Sequence, residues 1–357
     1  MRSGSIRYGR CANACEQRTN WRFVSVPNAP GREVTMAVSS SGKVALMWAN
    51  FTPEQLGYSE CTASDCSMAS GWRSFTLPAD IPTIRSNAVF DQNGVFHVVI
   101  DQAFTDDTLL TCPGNCTGSN ASWFAVPTGM SGVYSSIAVD RGGSLGIASV
   151  DVSANVRFRT VTVANTNGQL TNAFSPTTAV IANDAWIGAG VDLVYANGRP
   201  RLSFISSTRA TRLAWCSANC ATSTNWDSIQ FNNARPSPSP SSTLTVNASD
   251  VPTVVRVVGD ELLAIRCTSG SCYSLSGLYS NMTADTHAQA YSSQRFPLPT
   301  NCKPNEVPFA SSFTGDFSRA VTVGGRTEII TVAFDVGGCN VNEGVQANWH
   351  LRYAVVP

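Results

Sequence analysis

Lysine is nearly missing from this chain: of its 24 basic residues only Lys43 and Lys303 are lysines. Charge of any kind is thin, at 13% of residues with a formal net charge of +0. That excludes a basic face able to neutralise phosphates, so no nucleic acid is expected as a partner. No apolar run reaches the roughly 18 residues that a bilayer span needs, and no membrane insertion is expected. The first residues, MRSGSIRYGRC, lack the apolar core of a secretory signal and read as a mature or trimmed form without its leader. Only three histidines occur, and no Ser/His/Asp, His/Cys or zinc-helix motif joins them. His97, within VFHVV, reads as a hydrogen-bonded core residue rather than a base.

Cysteine, by contrast, is plentiful and ordered. Ten of the twelve cysteines fall in close pairs, each followed by a tryptophan or its substitute: CANACEQRTNW from Cys11, CTASDCSMASGW from Cys61, CPGNCTGSNASW from Cys112, CSANCATSTNW from Cys216 and CTSGSCYSLSGL from Cys267. The first cysteines stand at 11, 61, 112, 216 and 267, a period of about fifty with one copy lost. At the vacant place NVRFRTVTVANTN keeps a strand pattern without either cysteine.

Within each unit four short runs alternate or carry β-branched and aromatic residues, separated by Gly, Asn, Asp and Ser. The first unit has VTMAVSS, KVALMWAN, QLGYSEC and WRSFTLP. Four antiparallel strands per fifty residues, with no helical period, predict an all-β fold: a β-propeller of four-stranded blades. First and second strands recur at 34–50, 87–101, 135–151, 187–205, 242–258 and 318–335, which gives six blades rather than seven in a single domain, 1–357. The N-terminus supplies third and fourth strands (SIRYGRC, WRFVSVP) and the C-terminus a first, second and third (ending in LRYAVVP), so the terminal strands are expected to share one blade and close the ring. One third-type strand is then in excess and offers an edge for self-assembly. A Pro/Ser connection (235–242) and a long insertion (about 273–293, before a fourth strand at RFPLP) interrupt the pattern.

Each close pair follows a third strand, one pair per blade, so the pairs stand apart and four zinc ligands do not converge. A redox motif belongs at a helix start, and none is present. Local disulfides are the expectation: Cys11–Cys15, Cys61–Cys66, Cys112–Cys116, Cys216–Cys220 and Cys267–Cys272, with Cys302 and Cys339 joined because propeller geometry puts their loops on one face. Such a framework implies an oxidising, secreted or cell-surface location.

The segments GVYSSIAVDRGG (132–143) and ASVD (148–151), with the cysteine phrases, resemble secreted bacterial β-propellers of the broad sialidase-like or BNR-like kind. The resemblance implies a six- to eight-bladed disc and export, and it does not imply one function. The stricter Asp box S-x-D-x-G-x-x-W is not reproduced.

Ligands of such folds occupy the funnel where inter-blade connections enter the innermost strands. Aligning the repeats puts Glu33, Arg85, Tyr134, Trp186, Ser241 and Asp316 there. Glu33 and Asp316 are candidate catalytic carboxylates, as acid and base or nucleophile. Arg85, Tyr134, Trp186 and Ser241 are candidate ligand-binding residues, through bidentate donation and ring stacking. A second ring, Asn50, Asp101, Asp151, Ser206 and Asp335, reads as turn caps, as do Asp91 and Asp140 on the opposite face. No metal is expected and no cofactor beyond structural calcium, although no D-x-D-x-D-G loop appears. The leading expectation is an extracellular binding or scaffold propeller for a glycan or cell-surface protein; the alternatives are a glycoside hydrolase or polysaccharide lyase, and a self-assembling surface subunit.

Overall fold

A computed structural model describes residues 5–15, 17–31, 33–51, 54–77, 85–102, 105–118, 123–166, 169–187, 190–231, 242–258, 261–267, 282–288, 309–323, 326–338 and 346–356. Its regular elements are β-strands and three single 3-10 turns. They fall into two compact units, Met1–Ser207 with Ala214–Ser228, and Thr208–Leu213 with Ile229–Pro357.

The first unit opens with a hairpin, β1 (Ser5–Cys11) on β2 (Trp21–Pro30). Four blade-type sheets follow. The first is β3 (Glu33–Val38), β4 (Val44–Phe51), β5 (Glu54–Cys61) and β6 (Trp72–Thr76), and the second is β7 (Arg85–Phe90), β8 (Phe96–Asp101), β9 (Thr108–Cys112) and β10 (Phe124–Pro127). The third holds β11 (Val133–Val139), β12 (Leu145–Val150), β13 (Val156–Thr166), β14 (Gln169–Phe174) and β15 (Ala179–Ala182). The fourth is β16 (Val191–Ala196), β17 (Arg199–Ile205), β18 (Thr211–Cys216) and β19 (Trp226–Gln230). Each is an antiparallel meander in chain order, and β3, β7, β11 and β16 pack side by side as the innermost strands.

The second unit contributes two more sheets: β20 (Ser242–Val246), β21 (Pro252–Val258), β22 (Glu261–Cys267) and β23 (Met282–Ala288), then β24 (Phe309–Val323), β25 (Arg326–Gly338) and β26 (Gln346–Val356). Six sheets of propeller-blade type therefore succeed one another along the chain, as the fifty-residue period predicts. The terminal strands pair within their own units, β1 with β2 in the first and β24 to β26 in the second.

Second strands are near-continuous apolar runs because both faces of a blade are covered. Along β4, Ala45, Met47 and Ala49 face the second sheet with Phe96, Val98 and Ile100, while Val44, Leu46 and Trp48 face Ile6, Val26 and Ala29 of the hairpin. Successive side chains on a strand point to opposite faces, so one run serves two interfaces. Trp48 is wholly buried and lies flat over Gly57 in the register of β4 and β5, a place where any side chain at 57 would collide with the indole.

Two departures from expectation are local. In the third sheet, where the cysteine pair is lost, β13 outruns β12 and splits its outer neighbour between β14 and β15, giving five strands. In the fifth, the outer strand is β23, drawn from within the segment expected to be an insertion. Residues 235–241, 273–281, 289–293 and 295–299 lie outside the described residues.

Candidate functional site

The repeated cysteine phrase is a hinge between the two outer strands of a blade. Disulfides join Cys11 to Cys15, Cys61 to Cys66, Cys112 to Cys116 and Cys216 to Cys220. The residue before the second cysteine takes a left-handed conformation in the three four-residue loops, at Ala14 (φ 44°), Asn115 (φ 50°) and Asn219 (φ 53°). In all four, the tryptophan indole N–H then donates to the carbonyl of the second cysteine, at 2.7 Å for Trp21, 2.8 Å for Trp72, 3.3 Å for Trp123 and 2.9 Å for Trp226. The ring thus closes the loop as well as covering the blade. Trp226→Phe loses the donor and shrinks the bicyclic ring packed on Phe158, so it is expected to cost at least about 1 kcal/mol, read as a thermal midpoint lower by about 3 °C or more. Cys267 ends β22 with its side chain outside the described residues, as are Cys272, Cys302 and Cys339.

The turn aspartates behave as read. Asp91 accepts from the backbone N–H of Asn93 and Val95, and Asp140 from that of Ser144, with Gly94 (φ 78°) and Gly143 (φ 85°) completing the turns. Burial pushes the Asp91 carboxyl up, but the His97 ring, with Nε2 3.7 Å away, and hydrogen bonds from the backbone outweigh it and leave it below the usual range. His97 is fully buried, with Nδ1 3.0 Å from Thr111 Oγ1, in keeping with a core residue.

At the opposite end of the sheets the repeats diverge. Glu33 pairs with Ala49, Arg85 with Asp101 and Val133 with Val150, so the starts of β3, β7 and β11 meet the ends of their second strands at one rim. There the Arg85 guanidinium lies 3.7 Å from the centroid of the Tyr134 ring. Burial raises the Glu33 carboxyl, and the charge of Arg85 partly offsets it. The Trp186 N–H donates to the Ile205 carbonyl at 2.8 Å, which sets it at the corresponding end of the fourth sheet. Gly190, in the same connection, lies against Tyr134, since a Cβ there would stand 3.2 Å from that of Tyr134. Three of the six candidates are therefore gathered at one rim, with Trp186 at the same end of the adjoining sheet. Asp316 lies in the second unit, inside β24 at a register shift between Thr314 and Ser318, and its side chain, like Ser241, is outside the described residues.

Tyr134 has φ 58°, a left-handed conformation unusual for a tyrosine, at a register shift in β11. The residue after it, Ser135, is gripped by a buried carboxylate pair. Asp101 accepts the Ser135 backbone N–H with its two oxygens at 3.0 and 3.1 Å, and Asp107 accepts the Ser135 hydroxyl at 2.6 Å. Burial, with the neighbouring charge of Asp107, raises Asp101 to about 8, and burial raises Asp107 to about 7. Asp101 was expected to cap its own turn; it reaches instead to the next sheet. Asp151 does cap its turn, through the N–H groups of Ser153 and Asn155, and pairs with Arg157. Asp107 carries no repeat signal at all. Among the described residues no group of three or more His, Cys, Asp or Glu side chains gathers as for a metal, and no helix is long and apolar enough to cross a membrane.

No family model matches the chain, and no curated protein matches it. Solved structures similar to it include the SapL1 lectin in complex with alpha methyl fucoside (13% identity, 75% of this chain and 87% of that one, TM-score 0.49). Others are AofleA from Arthrobotrys oligospora (10%, 91% and 88%, TM-score 0.46) and the six-bladed fucose-binding lectin of Aleuria aurantia (12%, 91% and 95%, TM-score 0.47). At these levels no residue role passes from them to this chain.

Proposed function

We propose that the protein is an exported glycan-binding propeller that takes its ligand at the rim formed by Glu33, Arg85 and Tyr134, with Trp186 beside it. The observation that carries this reading is the guanidinium of Arg85 lying 3.7 Å over the Tyr134 ring. Stacking holds the guanidinium plane in one orientation, and a planar fork suits paired sugar hydroxyls or a sugar carboxylate. Glu33 adds an acceptor, and the half-buried indole of Trp186 offers an apolar face to pyranose C–H groups. Four disulfides, five of whose cysteines are 0–4% exposed, suit an oxidising compartment.

A broad glycan array with the oxidised protein, followed by calorimetry on its best ligand, tests the proposal. Arg85→Ala is expected to weaken binding at least about tenfold, and Arg85→Lys not to restore it, because an ammonium cannot reproduce the stacked fork. Thermal midpoints of both variants are expected to stay near that of the parent. An array without any binder, or a confirmed ligand indifferent to Arg85→Ala, overturns the reading.

A further inference from the structure

We infer that Asp101 and Asp107 are positioning residues of this rim: gripping Ser135 from two sides they hold Tyr134 in its left-handed conformation, and ligand capture weakens when both carboxyls ionise. The inference rests on the glycan-binding reading of the rim for its functional half and on the clasp itself for its structural half.

The clasp is specific. Asp101 is 2% exposed and Asp107 is 0% exposed, and they grip a single residue from two directions, Asp101 at its backbone N–H and Asp107 at its hydroxyl. Asp107 is itself fixed, its N–H donating to the Met130 carbonyl and its carbonyl accepting from Thr128, each at 2.8 Å. Ser135 directly follows Tyr134, so its anchorage sets the backbone on which the Arg85 platform stands. A tyrosine held at positive φ is a strained feature that persists only where its surroundings over-determine it, and such features gather at functional sites.

Two anions confined against one residue, away from water, repel each other, which favours retaining a proton. Besides each other, the charged or titratable groups around the pair are Arg85, opposite Asp101 in the register of β7 and β8, Tyr134 on β11, and Asp106, whose charge opposes ionisation of Asp107. Both carboxyls are raised above their unfolded values, Asp101 to about 8 and Asp107 to about 7. The stabilisation they give is therefore full below the unfolded carboxyl value of 3.8 and is lost progressively as pH rises from there through about 8. The pair behaves as one coupled system, and asparagine at either position imitates a carboxyl that cannot ionise.

Hydrogen–deuterium exchange over residues 131–139, expressed as protection relative to intrinsic rates, reads the clasp without any ligand, and calorimetry with the array-derived glycan reads the rim. For the parent protein, protection in this segment is expected to fall at least about tenfold between pH 6 and pH 9, with affinity falling in parallel. Asp107→Asn is expected to flatten both ratios to within about twofold; Asp101→Asn serves the same purpose if the first variant does not fold. Parent protection that is the same at both pH values overturns the inference with no variant needed, as does an Asp107→Asn profile as steep as the parent's. If protection follows the expected pattern while no glycan binds, the clasp stands and the glycan reading falls; if glycan binds with equal affinity at both pH values, the coupling falls and the glycan reading stands.

Discussion

Opening the small cystine loops with a phosphine reductant is expected to lower the thermal midpoint by about 20 °C, enough to leave the protein unfolded or nearly so at physiological temperature. Each of the four bridges spans only four or five residues. By chain entropy each contributes about 2 kcal/mol, so the set nominally contributes about 8 kcal/mol against a typical total of about 5–15 kcal/mol. The local consequence compounds the entropy. Without its bridge, a loop such as Cys216–Cys220 has nothing covalent to hold Asn219 left-handed or to present the Cys220 carbonyl to Trp226. The outer strand is then held by its ladder and by the packing of Trp226 and Ile229, without the covalent staple. Cys61, Cys112 and Cys216 are fully buried, so thiol release is expected to lag and then to coincide with loss of the strand signal. Circular dichroism melting with parallel thiol counting is the measurement. Complete thiol release with an unshifted midpoint would contradict the stapling role.

Much of the fold is legible in the sequence because a blade is a local object. Third strand, cysteine loop, tryptophan and fourth strand lie within about twenty residues, and the two-sided burial of second strands writes itself as VALMWA or FHVVI. The reading weakens where a blade solves the same packing problem differently. In the third sheet the pairing of β13 with β14, from Val161 opposite Phe174 to Thr166 opposite Gln169, stands where the other sheets have the cystine loop. MTADTHA, which becomes β23, lacks the apolar alternation that marks a strand, and its pairing with β22 is settled by the sheet rather than by propensity.

The rim divides the same way. Glu33, Arg85 and Tyr134 could be found because repeat alignment sets equivalent positions at equivalent places. Asp107 could not, because it acts through a residue twenty-eight positions away, Ser135, in another sheet. Nothing in DDTLL distinguishes Asp107 from its solvated neighbour Asp106. Nor does VYSSIAV announce that a tyrosine in an apparently regular strand turns left-handed.

That backbone makes a sharp prediction about Tyr134. In an ordinary strand glycine is less stable than alanine by about 0.5–1 kcal/mol, because it loses more freedom on folding. At φ 58° the order inverts: a Cβ costs roughly 1–2 kcal/mol in the left-handed region, and glycine escapes that cost. Tyr134→Gly is therefore expected to be more stable than Tyr134→Ala by about 1 kcal/mol, a midpoint about 3 °C higher. Both variants remove the ring beneath Arg85, so both are expected to lose at least about tenfold in glycan affinity, and to the same extent. Melting curves of the two proteins and calorimetry with one ligand give all four numbers. If alanine is the more stable variant, Tyr134 is in a regular strand and the clasp around Ser135 holds no strain. If glycine is the more stable and the two bind alike but weakly, the strain belongs to the backbone and the affinity to the ring, which is what a side chain held out for a ligand at a cost to the fold requires.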